Sequence, residues 1–349
     1  MAMASIRKIA LRAKVSTATV SRVLNGSADI SEETRKKVLT AARASNYVGA
    51  VGRRVMTNVG LVFAATTEFC PFDQILMSGI LRGLEEQKFD VTIVNLERDK
   101  RPGENYTQFF MRKGLRGVLV RSPLRSRSVC EAIAAEGFPQ VVIAERFDDP
   151  AVNYIATASG EGTRRAVEHL IQLGHRRIAF AMHHELDSDH AERLEGFEQA
   201  MAATGLTIEE NMVIRLVADF QGGVSALNEL MSLPRPPSAI FFADPMPAIG
   251  AIRRANYVGL RVPEDLSIIA VDDSRVRMDV FPPMTAVIQS VVNLGFEAAL
   301  WLTRRLVHNV KEPLRQVLPA RFEVNGTTAA APERVIRVLP DGSRLACEE

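Results

Sequence analysis

Residues 16–25 constrain the fold and the partners of this chain more than any other segment, because their two sides differ in chemistry. The segment reads STATVSRVLN, and at about 100° per residue Val20, Val23 and Leu24 share one arc of a helix. Such an apolar arc is normally buried. The opposite arc carries small side chains and Arg22, so it can approach another surface closely. The pattern predicts a short helix that packs on one side and recognises a partner on the other.

Two further helices are predicted beside this segment. Upstream, Ser16 can cap the recognition segment after a short turn, and downstream residues 31–34 (SEET) are typical of a helix start. The inner apolar residues of the flanking helices are Ile6, Ile9, Ala10 and Ala13, then Val38, Leu39 and Ala42. Two helices joined by a tight turn and braced by a third predict a helix-turn-helix, whose second helix enters the major groove of DNA. The alternative is a small three-helix domain with a solvated basic face.

The distribution of charge agrees with a nucleic-acid partner for the first segment only. Residues 1–58 contain eleven Lys and Arg against three Asp and Glu, which gives a net charge of +8. The whole chain is only +2, so the remainder carries −6. A basic module followed by an acidic body predicts that double-stranded DNA binds the first segment and not the second.

From residue 59 the pattern changes to short apolar runs that alternate with amphipathic helices. Seven runs predict buried parallel strands: residues 59–63, 91–94, 117–120, 141–144, 178–180, 239–242 and 267–271. Amphipathic helices are predicted between them at residues 75–87 and 127–136, and a further helix at residues 291–308. Two successive blocks of this kind predict two doubly wound α/β subdomains.

These features together resemble the lactose-repressor (LacI/GalR) family of bacterial transcription regulators. The N-terminal match is the most specific, with residues 15–26 reading VSTATVSRVLNG and residues 30–35 reading ISEETR. Later segments follow in the family's order: residues 166–170 (AVEHL), 173–180 (LGHRRIAF), 193–197 (RLEGF) and 262–267 (VPEDLS). The resemblance covers roughly residues 3–325. It implies an all-α helix-turn-helix domain followed by a periplasmic-binding-protein-like α/β effector domain.

The resemblance also implies domain boundaries and a function. We place the helix-turn-helix at residues 1–47, a shortened linker at 48–58, the effector domain at 59–325 and a C-terminal tail at 326–349. The subdomains are expected at 59–158 with 289–318, and at 159–288 with 319–325. The implied function is a sequence-specific transcriptional regulator, expected to be a repressor. A sugar, polyol or similar small molecule between the subdomains would switch its affinity for operator DNA.

The resemblance also implies roles for specific side chains of residues 16–25. Those expected to face base edges are Thr17, Ala18 and Arg22, and those expected to hold phosphates are Ser16, Thr19, Ser21 and Asn25. Arginine can donate two hydrogen bonds to guanine, and a methyl group suits thymine. Lys8 and Lys14 depart from the family, which often has Asp and Gly there, and both add charge that favours nonspecific affinity.

The linker leaves two alternatives open. In the family it carries a hinge helix that wedges a leucine into the minor groove, and here Arg54 and Met56 fall near the matching positions. Yet this segment is about five residues shorter than usual, and Gly49 and Gly52 disfavour ordering. It is either a hinge helix with a methionine wedge or a flexible tether with phosphate-binding arginines.

Effector contacts are carried over from the family only where this chain matches it. Arg193 matches an arginine that binds sugar or purine groups, Asp272 matches an acidic acceptor, Phe72 a stacking aromatic, and Arg146 a polar residue after the fourth strand. Asp73 and Asp244 are extra acids at family positions of Phe and Asn, and they favour ligands rich in hydrogen-bond donors, such as polyols or amines. Alternatively, Asp244 only caps the helix that follows it.

Enzymatic, metal-binding and membrane classes receive little support. Asp272 and Asp273 form a pair without a nucleophile, and the spacing of residues 183–190 (HHELDSDH) fits a polar loop better than a metal site. No phosphate-binding glycine loop or nucleophile elbow is present, so we expect no catalytic residue and no cofactor. The scattered Cys70, Cys130 and Cys347 predict no disulfide framework. With no signal region and no long apolar run, a cytoplasmic protein without membrane contact is expected.

The assembly is expected to be a homodimer. One recognition helix reads half of an operator, so a twofold dimer would read an inverted repeat. The family's dimer faces correspond to residues 72–84 and 245–256, and the apolar run at 245–252 suits such burial. The tail lacks leucine heptads for a tetramer, and residues 335–343 predict a strand and a turn. The alternative function is a DNA-binding regulator without a small-molecule effector, controlled by a protein partner.

Overall fold

The computed structural model describes residues 6–24, 30–43, 57–63, 71–121, 126–184, 187–339 and 342–347. The residues up to Thr57, with Met111–Gly114, fall into one compact unit, and the rest of the chain from Asn58 forms the other. The first unit contains α1 (Ile6–Ala13), α2 (Thr17–Leu24) and α3 (Glu32–Arg43). Its core includes Ile9, Val20, Val23 and Val38, so the predicted helix-turn-helix packing is confirmed for these side chains.

The second unit begins with a six-stranded sheet. Its strands are β1 (Asn58–Phe63), β2 (Asp90–Asn95), β3 (Gly117–Arg121), β4 (Gln140–Ile143), β5 (Tyr154–Ala158) and β11 (Arg315–Pro319). They lie in the order β2-β1-β3-β4-β5-β11, and all pairs are parallel. The helices of this subdomain are α4 (Pro71–Glu85), α5 (Leu96–Asp99), α6 (Tyr106–Arg112), α7 (Arg127–Ala135) and α12 (Val291–His308). Parallel strands covered by helices explain the continuous apolar runs.

A second six-stranded sheet repeats this plan. Its strands are β6 (Ile178–His183), β7 (Val213–Leu216), β8 (Ala239–Phe242), β9 (Ser267–Asp272), β10 (Thr285–Ile288) and β12 (Arg321–Glu323). The order is β7-β6-β8-β9-β10-β12, and only β12 is antiparallel to its neighbour. Helices α8 (Ser159–Gln172) and α9 (Ser188–Ala203) pack over one face, and α10 (Phe220–Ser232) and α11 (Pro245–Tyr257) over the other. The predicted pair of doubly wound subdomains is confirmed.

The chain passes three times between the two sheets, after β5, after β10 and between β11 and β12. The helix predicted at residues 291–308 is α12, which follows the second passage and packs in the core of the first subdomain. Three crossings of the chain thus connect the two subdomains at one side of the region between them, here called the cleft, and this connection allows one subdomain to rotate against the other.

One expectation, about the dimer face, changes, and another, about the C-terminal strand, is confirmed. The apolar run at residues 245–252 was expected to serve a dimer face, but Ala248, Ala251 and Ile252 are buried in the core of their own subdomain. That run therefore gives no support for a dimer. The predicted strand near the C-terminus is β13 (Val335–Val338), and it pairs with β14 (Arg344–Cys347) as an antiparallel hairpin.

Candidate functional site

Helix α2 is fixed by its own cap and by the three-helix core. The backbone amide of Thr19 donates to Ser16 Oγ at 3.0 Å, and the two hydroxyl groups lie 2.8 Å apart. The predicted N-cap role of Ser16 is therefore confirmed. Val20 and Val23 are buried, which leaves the opposite side of α2 facing outward.

The turn before α2 places a lysine in an unfavourable backbone conformation. Lys14 has a φ of 51°, in the left-handed region that favours glycine. The amide of Val15 donates to Ala10 O at 3.1 Å and that of Lys14 to Leu11 O at 3.4 Å. These two bonds form a Schellman motif, which ends α1 with a left-handed residue. A glycine at this point is the usual solution, and the lysine here adds positive charge at the cost of backbone strain.

The outward side of α2 matches the surface that the sequence predicts for DNA. Thr17, Ala18 and Arg22 are exposed, and Thr19 is half-buried. The side chain of Ser21 and the whole of Asn25, Arg54 and Met56 lie outside the described residues, so those expectations and the choice between hinge helix and tether stay predictions.

In the first subdomain, an arginine that the sequence did not single out organises one wall of the cleft. Arg121 ends β3, and its Nε donates to Asp73 Oδ1 at 3.0 Å. The same guanidinium lies 4.5 Å from the centre of the Phe72 ring. Phe72 and Asp73 are therefore brought together, but Arg121 already contacts both of them. A polar residue that ends an apolar strand was the available signal, because ligands bind beyond the carboxyl ends of parallel strands.

A buried carboxylate joins the two subdomains. Glu145 accepts a hydrogen bond from Arg127 Nη1 at 2.7 Å and another from the Ser188 amide at 3.0 Å. Ser188 begins α9, so this contact crosses from the first subdomain to the second. Burial raises the pKa of Glu145, although Ser188 and Arg127 oppose the shift.

Arg146 makes a second contact between the subdomains. Its Nη2 donates to Thr157 O and to Glu192 Oε2, each at 2.9 Å. Burial raises the pKa of Glu192 to about 7, even though the Arg146 charge lowers it. The predicted effector residue Arg146 thus lies at the cleft, where it already has a carboxylate partner.

On the second subdomain a histidine lies between two carboxylates. His190 Nδ1 is 2.7 Å from Asp187 Oδ1, and its Nε2 is 3.1 Å from Asp244 Oδ2. Burial disfavours the charged ring, but the Asp244 and Asp187 carboxylates prevail and raise the pKa of His190 to about 10. Asp244 stands at the N-cap of α11 without making a capping hydrogen bond, so the capping alternative is wrong.

Arg193 occupies the centre of the same wall and is almost wholly buried. Its Nη1 donates to Ala243 O at 2.8 Å, and its Nη2 lies 3.6 Å from Asp189 Oδ2. Its Nε has no hydrogen-bond partner among the described residues. Burial raises the pKa of the neighbouring Asp273 to about 7, and the Oδ1 atom of Asp273 also lacks a partner there.

Asp272, the acidic acceptor that the sequence predicts, already has partners within the protein. Both of its oxygens are engaged: Oδ1 accepts the amides of Ser274 and Arg275, and Oδ2 accepts Arg277 Nη1 at 2.8 Å. Because successive residues at a strand end point to opposite sides, the next residue, Asp273, faces Arg193 instead. Asp273 is thus the acid of this pair that faces Arg193, and the effector role of Asp272 stays a prediction.

Gln289 is a further cleft residue that the sequence did not identify. It follows β10, whose last residue Ile288 pairs with Asp272, and its backbone amide donates to Asp272 O at 3.1 Å. The side chain is 2% exposed, and neither its Oε1 nor its Nε2 has a partner in the described part of the chain. Buried amides are almost always hydrogen-bonded, so this one indicates a binding position.

The described ranges contain neither a cluster of metal ligands nor a membrane-spanning helix. Within them, no three His, Cys, Asp or Glu side chains are grouped to hold a metal ion. None of the helices there combines the length and apolar character needed to cross a bilayer.

Comparison with known proteins decides the family. Residues 5–49 match the model for bacterial regulatory proteins of the lacI family, and residues 167–328 match a periplasmic binding protein-like domain. The chain is 31% identical to the HTH-type transcriptional repressor CytR of Escherichia coli K12, over 94% of this chain and 97% of that protein. The chain belongs to the LacI family. It is therefore a DNA-binding transcriptional regulator, as the N-terminal motif predicts.

Solved structures of LacI-family proteins share this architecture. A complex of the transcriptional regulator CelR with cellobiose is 30% identical and has a TM-score of 0.65, covering 93% of this chain and 99% of that chain. The lac repressor dimer bound to operator and the anti-inducer ONPF has a TM-score of 0.67 at 23% identity, covering 94% and 100%. The second likeness concerns the LacI fold alone.

Proposed function

We propose that this protein is a repressor whose affinity for an inverted-repeat operator is switched by a small polyhydroxylated molecule bound between the two subdomains. The observation that carries the proposal is a group of buried polar atoms without partners in the described chain: Asp273 Oδ1, Arg193 Nε and the Gln289 amide. They offer both donors and acceptors, as hydroxyl groups require.

The position of this group supports an effector site rather than a structural gap. Asp273 and Gln289 follow the adjacent parallel strands β9 and β10, and Arg193 reaches them from α9. Open α/β sheets bind ligands at this carboxyl edge. Cellobiose in the CelR complex is a ligand of the same polyhydroxylated class.

The coupling of ligand to DNA would follow from the three connections between the subdomains. A ligand that contacts both walls favours one relative rotation of the subdomains over the other, and only such differential binding can shift an equilibrium. The linker at residues 48–58 would transmit the rotation to the DNA-binding helices. Either sign of the effect on affinity is compatible with this arrangement.

On DNA, the exposed side of α2 would supply the contacts. Arg22, Thr17 and Ala18 would read base edges, and Ser16, Thr19, Ser21, Asn25 and Arg54 would contact the backbone, with Met56 in the minor groove if the linker folds. Two copies are needed to cover an inverted repeat, so the working species would be a homodimer. Light scattering tests this expectation directly, and a mass of one or four chains would contradict it.

The function is tested by measuring operator affinity while small molecules are added. A fragment selected from genomic DNA would be titrated with the full-length protein by fluorescence anisotropy, with sugars, polyols and nucleobases added singly. We expect at least one of them to change the dissociation constant several-fold in the wild type and to lose this effect in Arg193→Ala. If no small molecule acts but a protein partner does, regulation through a protein replaces the effector in this account.

A further inference from the structure

The second subdomain's wall of the cleft carries more acid than base. Arg193 is within electrostatic reach of four carboxylates: Asp189, Asp273, Asp244 and Asp187. His190 is held by two of those carboxylates, Asp187 and Asp244, and the nearby Arg277 is paired with Asp272. Arg193 is left to balance the other two, Asp189 and Asp273. In the described residues, this wall therefore has a surplus of negative charge.

The arginines of the opposite wall are paired with carboxylates of their own, although the charge of Arg121 also reaches Asp189. Arg121 pairs with Asp73 at 3.0 Å, and Arg127 pairs with Glu145 at 2.7 Å, both within the first subdomain. Arg146, which does cross the cleft, pairs with Glu192 at 2.9 Å. Each described arginine of that wall thus has its own carboxylate, and bringing the walls together leaves the surplus in place.

Gln289 is an independent sign that a ligand enters this part of the cleft. Alternation along β10 places Gln289 on the same face of the sheet as Val287, which packs in the core beneath α8 and α9. By the same alternation, Asp273 lies on the same face as Val271 of β9, which packs in the same core. A buried amide without partners therefore stands on the face where the surplus carboxylates meet Arg193.

We propose that the effector carries a protonated amine, held by Asp273 and Asp189, and hydroxyl groups that hydrogen-bond to Gln289 and to Arg193 Nε. The class of ligand is an amino sugar or an amino polyol. This inference rests on the proposed function, because it assumes that the cleft is the effector site.

The chemistry of the ligand-free site agrees with this assignment. Unpaired buried carboxylates avoid charge by taking up a proton, and burial raises the pKa of Asp273 to about 7. An ammonium group would replace that proton as the neutralising charge. Neutral sugars could satisfy the hydrogen bonds but would leave the charge surplus unpaired.

Matched pairs of ligands test the proposal on the full-length protein. The pairs are D-glucosamine with D-glucose, D-galactosamine with D-galactose, and D-glucamine with sorbitol, each assayed by thermal shift and calorimetry at about pH 7, where the amines are still largely protonated. We expect the amine of at least one pair to bind at least roughly tenfold more tightly than its neutral partner. Asp273→Asn should abolish this preference, whereas Asp279→Asn, which removes an exposed acid of the same subdomain, should retain it.

Three outcomes would overturn the proposal: equal behaviour within every pair, including no binding at all; tighter binding of the neutral members; or an amine preference that survives in Asp273→Asn. A neutral sugar that binds the cleft and changes operator affinity would refute the proposal that the effector carries an amine. The proposed function would remain intact. A protein that binds no operator would instead refute the proposed function, whichever ligand it prefers.

Discussion

His190 Nε2 lies 3.1 Å from Asp244 Oδ2, while its other ring nitrogen lies 2.7 Å from Asp187 Oδ1. Asp187 caps α9 and Asp244 precedes α11, so the imidazole ties the starts of these two helices together. Both nitrogens act as donors, which requires the charged ring.

The stability of the effector-binding unit should fall at alkaline pH because of His190. Its folded pKa of about 10 lies above the value of about 6.5 for an unperturbed histidine. The stabilisation is therefore complete below pH 6.5 and is lost as the pH rises through 10. Since one pKa unit corresponds to about 1.4 kcal/mol, the loss amounts to a few kcal/mol. The free energies of unfolding of wild type and His190→Gln, measured in urea, should converge as the pH rises. The control His308→Gln, which changes an exposed histidine, should match wild type at every pH. A constant gap between wild type and His190→Gln would refute the charged ring.

Asp272 and Asp273 are adjacent, but replacing each of them by asparagine should have opposite effects on the free energy of unfolding. Asp272→Asn removes a buried, charge-assisted bond to Arg277 and should cost about 2 kcal/mol of unfolding free energy. Asp273→Asn should stabilise the protein above pH 7, because burial has already raised that carboxyl's pKa to about 7 and disfavours its charged form. Toward pH 4 the gain should vanish, since the carboxyl is then protonated in the unfolded chain as well as in the folded one. Equal losses for the two variants in urea unfolding would contradict these roles.

Lys14 should lower the stability of the DNA-binding helices while adding positive charge next to them. Lys14→Gly relieves the left-handed conformation and should raise the local unfolding free energy by about 0.5–1 kcal/mol, after allowing for glycine's entropy. Hydrogen exchange of the α2 amides in the full chain measures this gain. Lys14→Ala keeps the strain and should show no gain, yet both variants should lower the salt dependence of nonspecific DNA binding by about one ion. Identical exchange in the two variants would exclude backbone strain at this turn.

The C-terminal hairpin should stabilise the second subdomain. Val335 of β13 is fully buried, and Arg337 Nε donates to Ser232 O at the end of α10. Val335→Ala should cost about 2 kcal/mol, from two buried methyl groups and the cavity they leave. The exposed neighbour Arg334→Ala is the control and should cost under about 0.5 kcal/mol. Unchanged urea unfolding in Val335→Ala would mean that the hairpin is dispensable.

The sequence predicted those elements whose pattern is strong and local. All seven predicted strands and the helix at residues 291–308 are present, because apolar runs and clear periodicity are strong local signals. The prediction that all seven are buried was wrong for β2, which lies at the edge of its sheet and buries only Val94. Strands β5, β7, β10, β11, β12 and β14 were missed. In these strands, apolar residues are interrupted by polar or exposed ones, as in YIATA of β5 and RQVLP of β11. Their pairing also depends on partners far away in the sequence.

The candidate site was only partly predictable for a related reason. The family motif located Arg193, but Asp272 and Asp273 are equivalent in the sequence, and only the strand geometry shows which one faces the cleft. Arg121 and Gln289 have no local motif, since each acts through a partner far away in the chain. Pairings such as His190 with Asp244 require the fold itself.

The central claim, that the exposed side of α2 reads DNA sequence, is tested most directly by a specificity ratio. Genomic fragments would be selected with the full-length protein, and the best inverted repeat compared with a scrambled duplex of equal length at physiological salt. We expect a preference of about a thousandfold or more in the wild type. Arg22→Ala should reduce this preference by roughly 1–3 kcal/mol in binding free energy, mainly at one base pair. Lys36→Ala on α3 should keep the full preference. Equal affinity of the wild type for the selected and scrambled duplexes would contradict the account.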